Sequence, residues 1–169
     1  MTVARDLFET VVLPVASAED ARTTCAGAAA HLRRTGGRAV VVHVIEKAGG
    51  APDKASVEQR EEGAEETFAA AREACDATEI TVETRLEYGT DVAETVFKVA
   101  NDVDASAIAF TPRQGSRWIK LLSGDVANAL ISEGERPVVV LPDHVADGDA
   151  DAIDADAADS AADDGGGGG

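Results

Sequence analysis

The sequence predicts an α/β fold: a five-stranded, parallel, open sheet with helices on both faces. Three features of the chain predict it. Five short apolar runs alternate along the chain with four segments whose apolar residues recur at helical spacing. The runs are continuously apolar, which is typical of strands buried on both faces. Strands separated by helices pair in parallel through right-handed crossovers, and this places helices on both sides of the sheet.

The N-terminal part of the chain predicts two strands and the helix between them. Thr10 to Val15 is the first apolar run and forms the first strand. Ser17-Ala18-Glu19-Asp20 resembles a capping box, which satisfies free N–H groups at a helix start. Gly36-Gly37 ends this helix, because glycine tolerates the left-handed backbone of a helix C-terminus. Arg38 to Ile45 forms the second strand.

The middle of the chain predicts a long second helix, a third strand and a third helix. Ser56 with Gln59 is a second capping box and is expected to begin the second helix. Ile80 to Leu86 forms the third strand. Gly89-Thr90 then turns into the third helix, whose apolar residues again have helical spacing.

The C-terminal part of the domain predicts two further strands with a loop and a helix between them. Ala107 to Phe110 is the fourth strand, and Val138 to Leu141 is the fifth. A polar loop begins at Thr111 and leads into a fourth amphipathic helix. This loop follows the carboxyl end of a strand, where open parallel sheets bind ligands. The sequence therefore places the candidate binding site here.

Composition divides the chain into a domain and a tail. Residues 1–142 contain the alternating strands and helices and are long enough for one domain with a sizeable core. Residues 143–169 contain nine acidic residues, no basic residue and a run of five glycines. A segment with so little to bury is expected to be a disordered acidic tail.

The net charge of −17 restricts which classes of partner can bind the protein and indicates the environment to which it is adapted. Such a charge repels phosphate backbones and anionic membranes, which excludes nucleic acid and membranes as partners of the whole body. Arginine outnumbers lysine by 11 to 4, and this composition indicates adaptation to a salt-rich cytosol, where ions screen self-repulsion. Neither a signal peptide nor a stretch of transmembrane length is visible, so we expect a cytoplasmic protein.

The cysteines and histidines form no metal-binding or catalytic pattern, so we predict no metal site and no catalytic residue. Cys25 and Cys75 lie on different predicted helices and are expected to be buried free thiols. His43 interrupts the second strand and is expected to be hydrogen-bonded within the sheet. His31, late in the first helix, is expected to be exposed.

The segment after the third helix resembles the universal stress protein family. In that family the fourth strand ends in Gly-x-x-Gly, and Gly-Ser or Gly-Thr then begins the last helix. A final strand of the type Pro-Val-x-Val-Val follows. Gly124-Asp125 and Arg136 to Leu141 fit this arrangement, and the resemblance extends over Glu9 to Pro142. It implies the strand order 3-2-1-4-5, a crevice between strands one and four, and, with the acidic composition, a member of the haloarchaeal type.

The resemblance also implies positions for nucleotide contacts. Family members that bind nucleotides use an acidic residue after the first strand, the two loop glycines and the start of the last helix. Carried over, these contacts fall on Pro14, Val15, Ala16, Val44, Thr111, Arg113, Gln114, Gly124, Asp125 and Val126. Three of the four motif letters differ, at Thr111, Gln114 and Asp125, and Ala16 replaces the acid. These departures count against tight binding of a nucleotide.

Two interpretations of the polar loop remain open. Arg113 and Arg117, with Lys120 nearby, could hold an anion, because arginine binds phosphate through two parallel hydrogen bonds. Alternatively, these cations pair with Asp125 and other surface acids. On the first interpretation ATP or AMP is the ligand to test, and the protein is a nucleotide- or anion-responsive sensor.

The family resemblance favours a regulatory or adaptor module of the stress response that is not an enzyme and holds no firmly bound cofactor. Val138 to Leu141 would be an apolar strand at the edge of the sheet, and exposed edges invite pairing. Family members commonly dimerise through this strand. We therefore predict a homodimer formed through Val138 to Leu141, with a regulatory protein partner that the sequence does not identify.

Overall fold

The computed structural model describes residues 4–47, 54–112 and 124–142. Within these residues five strands alternate with four helices, which confirms the predicted α/β class. The elements are β1 (Thr10–Pro14), α1 (Ala18–Thr35), β2 (Arg38–Glu46), α2 (Lys54–Asp76), β3 (Thr81–Gly89), α3 (Val92–Asp102), β4 (Ala107–Phe110), α4 (Gly124–Ser132) and β5 (Val138–Val140). The predicted tail, residues 143–169, lies outside the described residues.

The strands form one parallel sheet in the order β3-β2-β1-β4-β5, as the family resemblance implied. The chain first builds outward from β1 through β2 to β3. It then crosses to the other side of β1 and adds β4 and β5. The direction of winding therefore reverses between β1 and β4, and the crevice at their carboxyl ends is the switch point where such sheets bind ligands.

Two apolar layers cover the sheet. Alternate residues of β1 face opposite sides, because successive side chains in a strand do so. Val11 and Leu13 pack against α1 and α2, whereas Val12 packs against α3 and α4. Helices therefore lie on both faces, and the continuous apolar runs of the sequence are explained by burial on both sides.

The first predicted capping box is present. Ser17 Oγ accepts a hydrogen bond from the Asp20 N–H at 3.2 Å. The Asp20 carboxylate in turn accepts from the Ala16 N–H at 2.8 Å, one residue before the position that a standard box uses. α1 ends at Gly36, whose φ of 65° is left-handed.

The second predicted capping box is wrong. α2 begins at Lys54, so Ser56 lies inside the first turn and is not the residue that precedes the helix. Lysine and alanine are good helix formers, so the helix begins before the serine that the spacing indicated. The third strand also extends further than predicted, because β3 pairs with β2 as far as Gly89 opposite Glu46. In the parts of the chain that the structure describes, no helix has the length and apolar character that crossing a membrane requires.

Candidate functional site

The crevice between β1 and β4 brings four of the predicted site residues to one level of the sheet. β1 pairs with β4 through Val12 opposite Ile108, and with β2 through Pro14 opposite Val42. Continued by a few residues, these registers place Val15 beside Thr111 and Ala16 beside Val44. This part of the site is therefore assembled by strands that are neighbours in the sheet, although they are distant in the sequence.

Backbone hydrogen bonds fix the end of β1. The Val15 N–H donates to the Val42 carbonyl at 2.9 Å, and the Val15 carbonyl lies 3.0 Å from His43 Nδ1. Burial lowers the pKa of His43, although the bond to Val15 acts in the opposite direction. The neutral ring therefore donates from Nδ1 and keeps Nε2 as an acceptor. His43 is a hydrogen-bonded sheet histidine, as predicted, and its ring lies edge-on to Phe68 with centroids 6.4 Å apart.

Three of the predicted contact positions, Pro14, Val15 and Val44, are buried. A ligand would meet backbone atoms and apolar surface there, because none of the three has a polar side chain. Val44 packs with α3 in one apolar layer and Val15 with α1 in the other. Ala16 is half-buried and packs at the margin of the α3 layer. Its N–H is already used by Asp20.

Asp20 is the residue that the sequence interpretation missed as a neighbour of the site. Its side chain is 3% exposed, and its carboxylate accepts from the Ala16 N–H at 2.8 Å and from Thr24 Oγ1 at 3.4 Å. A carboxylate thus lies beside the end of β1, but it comes from the first turn of α1 and not from the strand. The capping-box spacing was the signal that could have placed it there. Asp20 holds the turn from β1 into α1.

Thr111 is the polar side chain in the crevice for which the described residues offer no partner. It is fully buried directly after β4, and among the described residues its Oγ1 has no hydrogen-bond partner. A buried hydroxyl without a partner costs roughly 1–3 kcal/mol relative to one that is satisfied. A ligand with an oxygen or nitrogen at this point would remove that cost.

The start of α4 is the other described part of the site. α4 begins at Gly124, with the exposed Asp125 in its first turn and the half-buried Val126 against the apolar layer of α3. A carboxylate near a helix N-terminus interacts favourably with the helix dipole, and it repels an approaching phosphate. Arg113, Gln114, Arg117 and Lys120 lie outside the described residues, so the anion-binding loop stays a prediction. No group of three metal-ligating side chains occurs in 4–47, 54–112 or 124–142.

The two edges of the sheet differ in chemistry. In β3, Glu83 pairs with Arg85 at 2.8 Å and with Arg38 of β2 at 3.1 Å. The hydrogen bond from Arg85 is the main cause of the lowered pKa of Glu83. In β5, by contrast, Val138 and Val139 are only half-buried and Val140 is 50% exposed. Ile131 of α4 is 56% exposed.

The structure places the remaining predicted side chains away from the crevice. Cys25 and Cys75 are buried free thiols, as predicted. The prediction that His31 is exposed is wrong: the ring is half-buried because it stacks on Phe8 with centroids 4.8 Å apart. Nothing in the position of His31 connects it with the site.

The sheet and its crevice have known counterparts. The sequence model described as the universal stress protein family matches residues 7–142. The structure of a universal stress protein from Archaeoglobus fulgidus is 25% identical, has a TM-score of 0.61, and the match covers 78% of this chain and 97% of that one. No curated protein matches the chain.

Two other solved structures share the fold. A universal stress protein from Archaeoglobus fulgidus in complex with dAMP is 23% identical, with a TM-score of 0.59 and coverage of 80% of this chain and 98% of that one. Universal stress protein UspA from Lactobacillus plantarum is 16% identical, with a TM-score of 0.64 and coverage of 79% and 97%. At these identities the likeness concerns the fold alone.

Proposed function

We propose that this chain, which belongs to the universal stress protein family, is a homodimeric regulatory module of the stress response that catalyses no reaction itself. The observation that carries the proposal is the difference between the two edges of its sheet. One edge is protected by charge, and the other presents apolar side chains that are half-buried or exposed.

Charge protects the β3 edge against pairing. Glu83 on this strand is bonded to Arg85 and Arg38, and a charged edge strand disfavours the addition of another chain. At the β5 edge, Val138, Val139 and Val140 offer neither charge nor proline. A second copy of the chain would therefore be expected at β5.

Pairing of two β5 strands about a two-fold axis would continue the sheet from one protomer into the other. It would also cover Val140 and Ile131, which are 50% and 56% exposed. Removing the remaining exposed surface of one such side chain from water contributes on the order of 1 kcal/mol. The dimer thereby gains both backbone hydrogen bonds and apolar burial from a strand that is only half-covered in the protomer.

Light scattering coupled to size exclusion, in a high-salt buffer, tests the dimer. We expect the wild-type chain to have the mass of a dimer and the Val140→Lys variant to be monomeric, since a charge on the edge opposes pairing. Leu7→Lys is the matched control, because Leu7 is 43% exposed and lies outside β5. A wild-type monomer at working concentration, or a dimer that V140K leaves intact, would refute the proposal.

A variant that ends at Pro142 tests whether the C-terminal residues of the chain, instead of a second copy, cover the β5 edge. Residues 143–169 follow β5 directly and could cover it. If they did, the shortened chain would associate more strongly than the full chain. The homodimer proposal requires that the two chains associate equally within error.

A second candidate function is that of an adenine-nucleotide sensor, and Thr111 is the observation that favours it. This buried hydroxyl lies at the switch point of the sheet without a partner among the described residues. A related protein of the same fold has been solved with dAMP. A hydroxyl or phosphate oxygen of a nucleotide would supply the missing hydrogen bond.

Calorimetry with AMP and with ATP tests the sensor. If either binds, we expect Thr111→Val to weaken the affinity by roughly 5- to 30-fold, which is the value of one buried hydrogen bond. Thr67→Val is the matched control, because Thr67 is buried but donates to the Gly63 carbonyl within α2. Absence of binding by the wild-type chain would refute the sensor and leave the dimer proposal untouched.

Three further aspects belong to the same proposal. Residues 1–142 form the regulatory domain, and the acidic residues 143–169 form a tail outside it. The acidic, arginine-rich composition suits a salt-rich cytosol, where screening offsets the net charge of −17. Unfolding measured against salt concentration tests this last point, since a salt-adapted chain gains stability as the salt rises.

A further inference from the structure

A cleft opens where β2 and β3 begin, at the end of the sheet opposite the crevice. It has a volume of about 270 Å³. Two helix-to-strand connections form it: Gly36 and Gly37 lead from α1 into β2, and residues 78–80 lead from α2 into β3. Pockets for drug-sized ligands have volumes of roughly 300–1,000 Å³, so this cleft suits a smaller metabolite.

The two connections lie side by side with the same backbone conformation. β2 pairs with β3 through Arg38 opposite Thr81, and continuing this register by two residues places Gly36 beside Glu79. Both are left-handed, with φ of 65° and 58°. Glycine adopts this conformation freely, whereas glutamate does so at a cost in free energy. A carboxylate is therefore kept at a position where glycine would favour folding, and such a residue is a candidate for function.

Two residues of opposite charge line the cleft, Arg33 from the last turn of α1 and Glu79. Both are exposed. Within residues 4–47, 54–112 and 124–142, neither forms an ion pair with the other or with a third residue. The cleft thus combines a guanidinium and a carboxylate that do not neutralise each other directly.

We propose that this cleft binds a small zwitterion with a primary ammonium group, namely a free α-amino acid with a short apolar side chain. Arg33 holds the ligand carboxylate through two parallel hydrogen bonds. Glu79 accepts from the ligand ammonium, and the C-terminal ends of α1 and α2, which are the negative ends of their dipoles, favour a cation there. A ligand with both charges satisfies both residues, whereas a simple anion or cation leaves one of them unpaired.

The rest of the lining fits the same ligand. Leu32 and Ile80 are 1% and 7% exposed and supply the apolar part of the cleft. Thr78 Oγ1 donates to the Ala74 and Cys75 carbonyls, at 3.2 and 3.0 Å, so it meets a ligand as an acceptor. A primary ammonium group can donate to it. The described residues that line the cleft include no aromatic ring, which is the group that recognises a fully methylated ammonium.

NMR of the full-length, ¹⁵N-labelled chain at constant high salt tests the ligand class, with L-valine as the probe. We expect valine to shift the amide signals of Gly36, Gly37 and residues 78–81 with a Kd of about 1 mM, since so small a ligand makes few contacts. Isovalerate is valine without the ammonium group, and isobutylamine is valine without the carboxylate. Each should bind at least about fivefold more weakly, because one charged residue stays unpaired. Valine betaine should also bind more weakly, because its ammonium donates no hydrogen bond.

Two substitutions remove the charges one at a time. Arg33→Gln and Glu79→Gln should each weaken valine binding by roughly 3- to 10-fold, since a contact of an exposed charge contributes less than a buried one. Arg34→Gln and Glu73→Gln are the matched controls. Both residues are exposed on the same two helices, and neither is among the described residues that line the cleft. These controls should bind valine as the wild type does.

Glu79→Gly separates a contact with the ligand from a role at the helix end. Glycine should raise the melting temperature by roughly 2–5 °C, because it adopts the left-handed backbone without cost. The same variant should weaken valine binding as much as Glu79→Gln does. A more stable protein that binds less valine cannot owe its lower affinity to unfolding.

Three results would overturn the proposal. They are amide shifts that do not saturate well above the expected Kd, equal binding of valine and of either single-charge analogue, and Arg33 or Glu79 variants that bind valine as the controls do. None of these results bears on the dimer or on the nucleotide candidate, because β5 and the crevice lie elsewhere on the sheet.

Discussion

Replacing Thr111 by valine is expected to stabilise the ligand-free protein. Thr111 is 0% exposed and its Oγ1 has no partner among the described residues, so no group in this part of the chain compensates the hydroxyl for the water that it loses on folding. Such a group costs roughly 1–3 kcal/mol, and valine has nearly the same shape without the hydroxyl. We therefore expect the free energy of unfolding to rise by about 1–2 kcal/mol. For a chain of this size the melting temperature would rise by roughly 2–8 °C.

Urea unfolding followed by circular dichroism measures this change at constant high salt. The midpoint should rise while the slope stays constant, because the area exposed on unfolding hardly changes. Thr67→Val is again the control, since Thr67 Oγ1 donates to the Gly63 carbonyl at 2.8 Å. Losing that bond should lower stability by about 1 kcal/mol. A T111V protein that is less stable than wild type would show that the hydroxyl has a partner and would refute the reasoning.

Three further predictions concern the packing and ionisation of the domain. Gly37→Ala should cost at least about 3 kcal/mol or prevent folding, because a Cβ there would meet the Phe8 carbonyl oxygen at 1.7 Å. Gly63 lies on the exposed side of α2, and a Cβ there would have no atom within 4 Å, so Gly63→Ala should stabilise the protein by about 0.5–1 kcal/mol. Equal shifts of the melting temperature for the two alanine variants would contradict this description of the packing. The lowered pKa of His43 means that the unfolded chain binds the proton more readily. Stability is therefore fully present above about pH 6.5 and declines as the pH falls below it. His43→Gln keeps a neutral donor for the Val15 carbonyl and removes the titrating ring. The free energy of unfolding, measured from about pH 7 to 5, should therefore depend less on pH in this variant, and an unchanged slope would exclude His43 as the source of the dependence.

The order of secondary-structure elements could be predicted because residues within a few positions of one another indicate each element. Val40, Val41 and Val42 in sequence can be buried together only in a strand covered on both faces. Ser17 and the glycines after Thr35 mark the ends of α1 through backbone hydrogen bonds that span a few residues. Ser56 shows the limit of such signals, because helix propensity on its N-terminal side moved the start of α2 to Lys54.

The edge contacts and half-buried side chains could not be predicted, because they depend on residues distant in the chain. His31 is covered by Phe8, which precedes β1. Glu83 finds Arg38 only when β2 and β3 pair. A helical wheel or an alternating pattern describes one element at a time and contains no information about its neighbours.

Taken alone, the sequence determined the class of fold, the positions of its strands and helices, and the residues expected at the mouth of the crevice. Tertiary packing was needed to establish that Asp20 fixes the turn beside Ala16, that Thr111 is buried without a partner among the described residues, and that Cys25 and Cys75 lie in one apolar layer. The difference arises from the separation along the chain over which each interaction acts. Periodicity and capping act over a few residues, whereas burial and hydrogen bonding are settled when β1, β4 and the two helices on one face pack together.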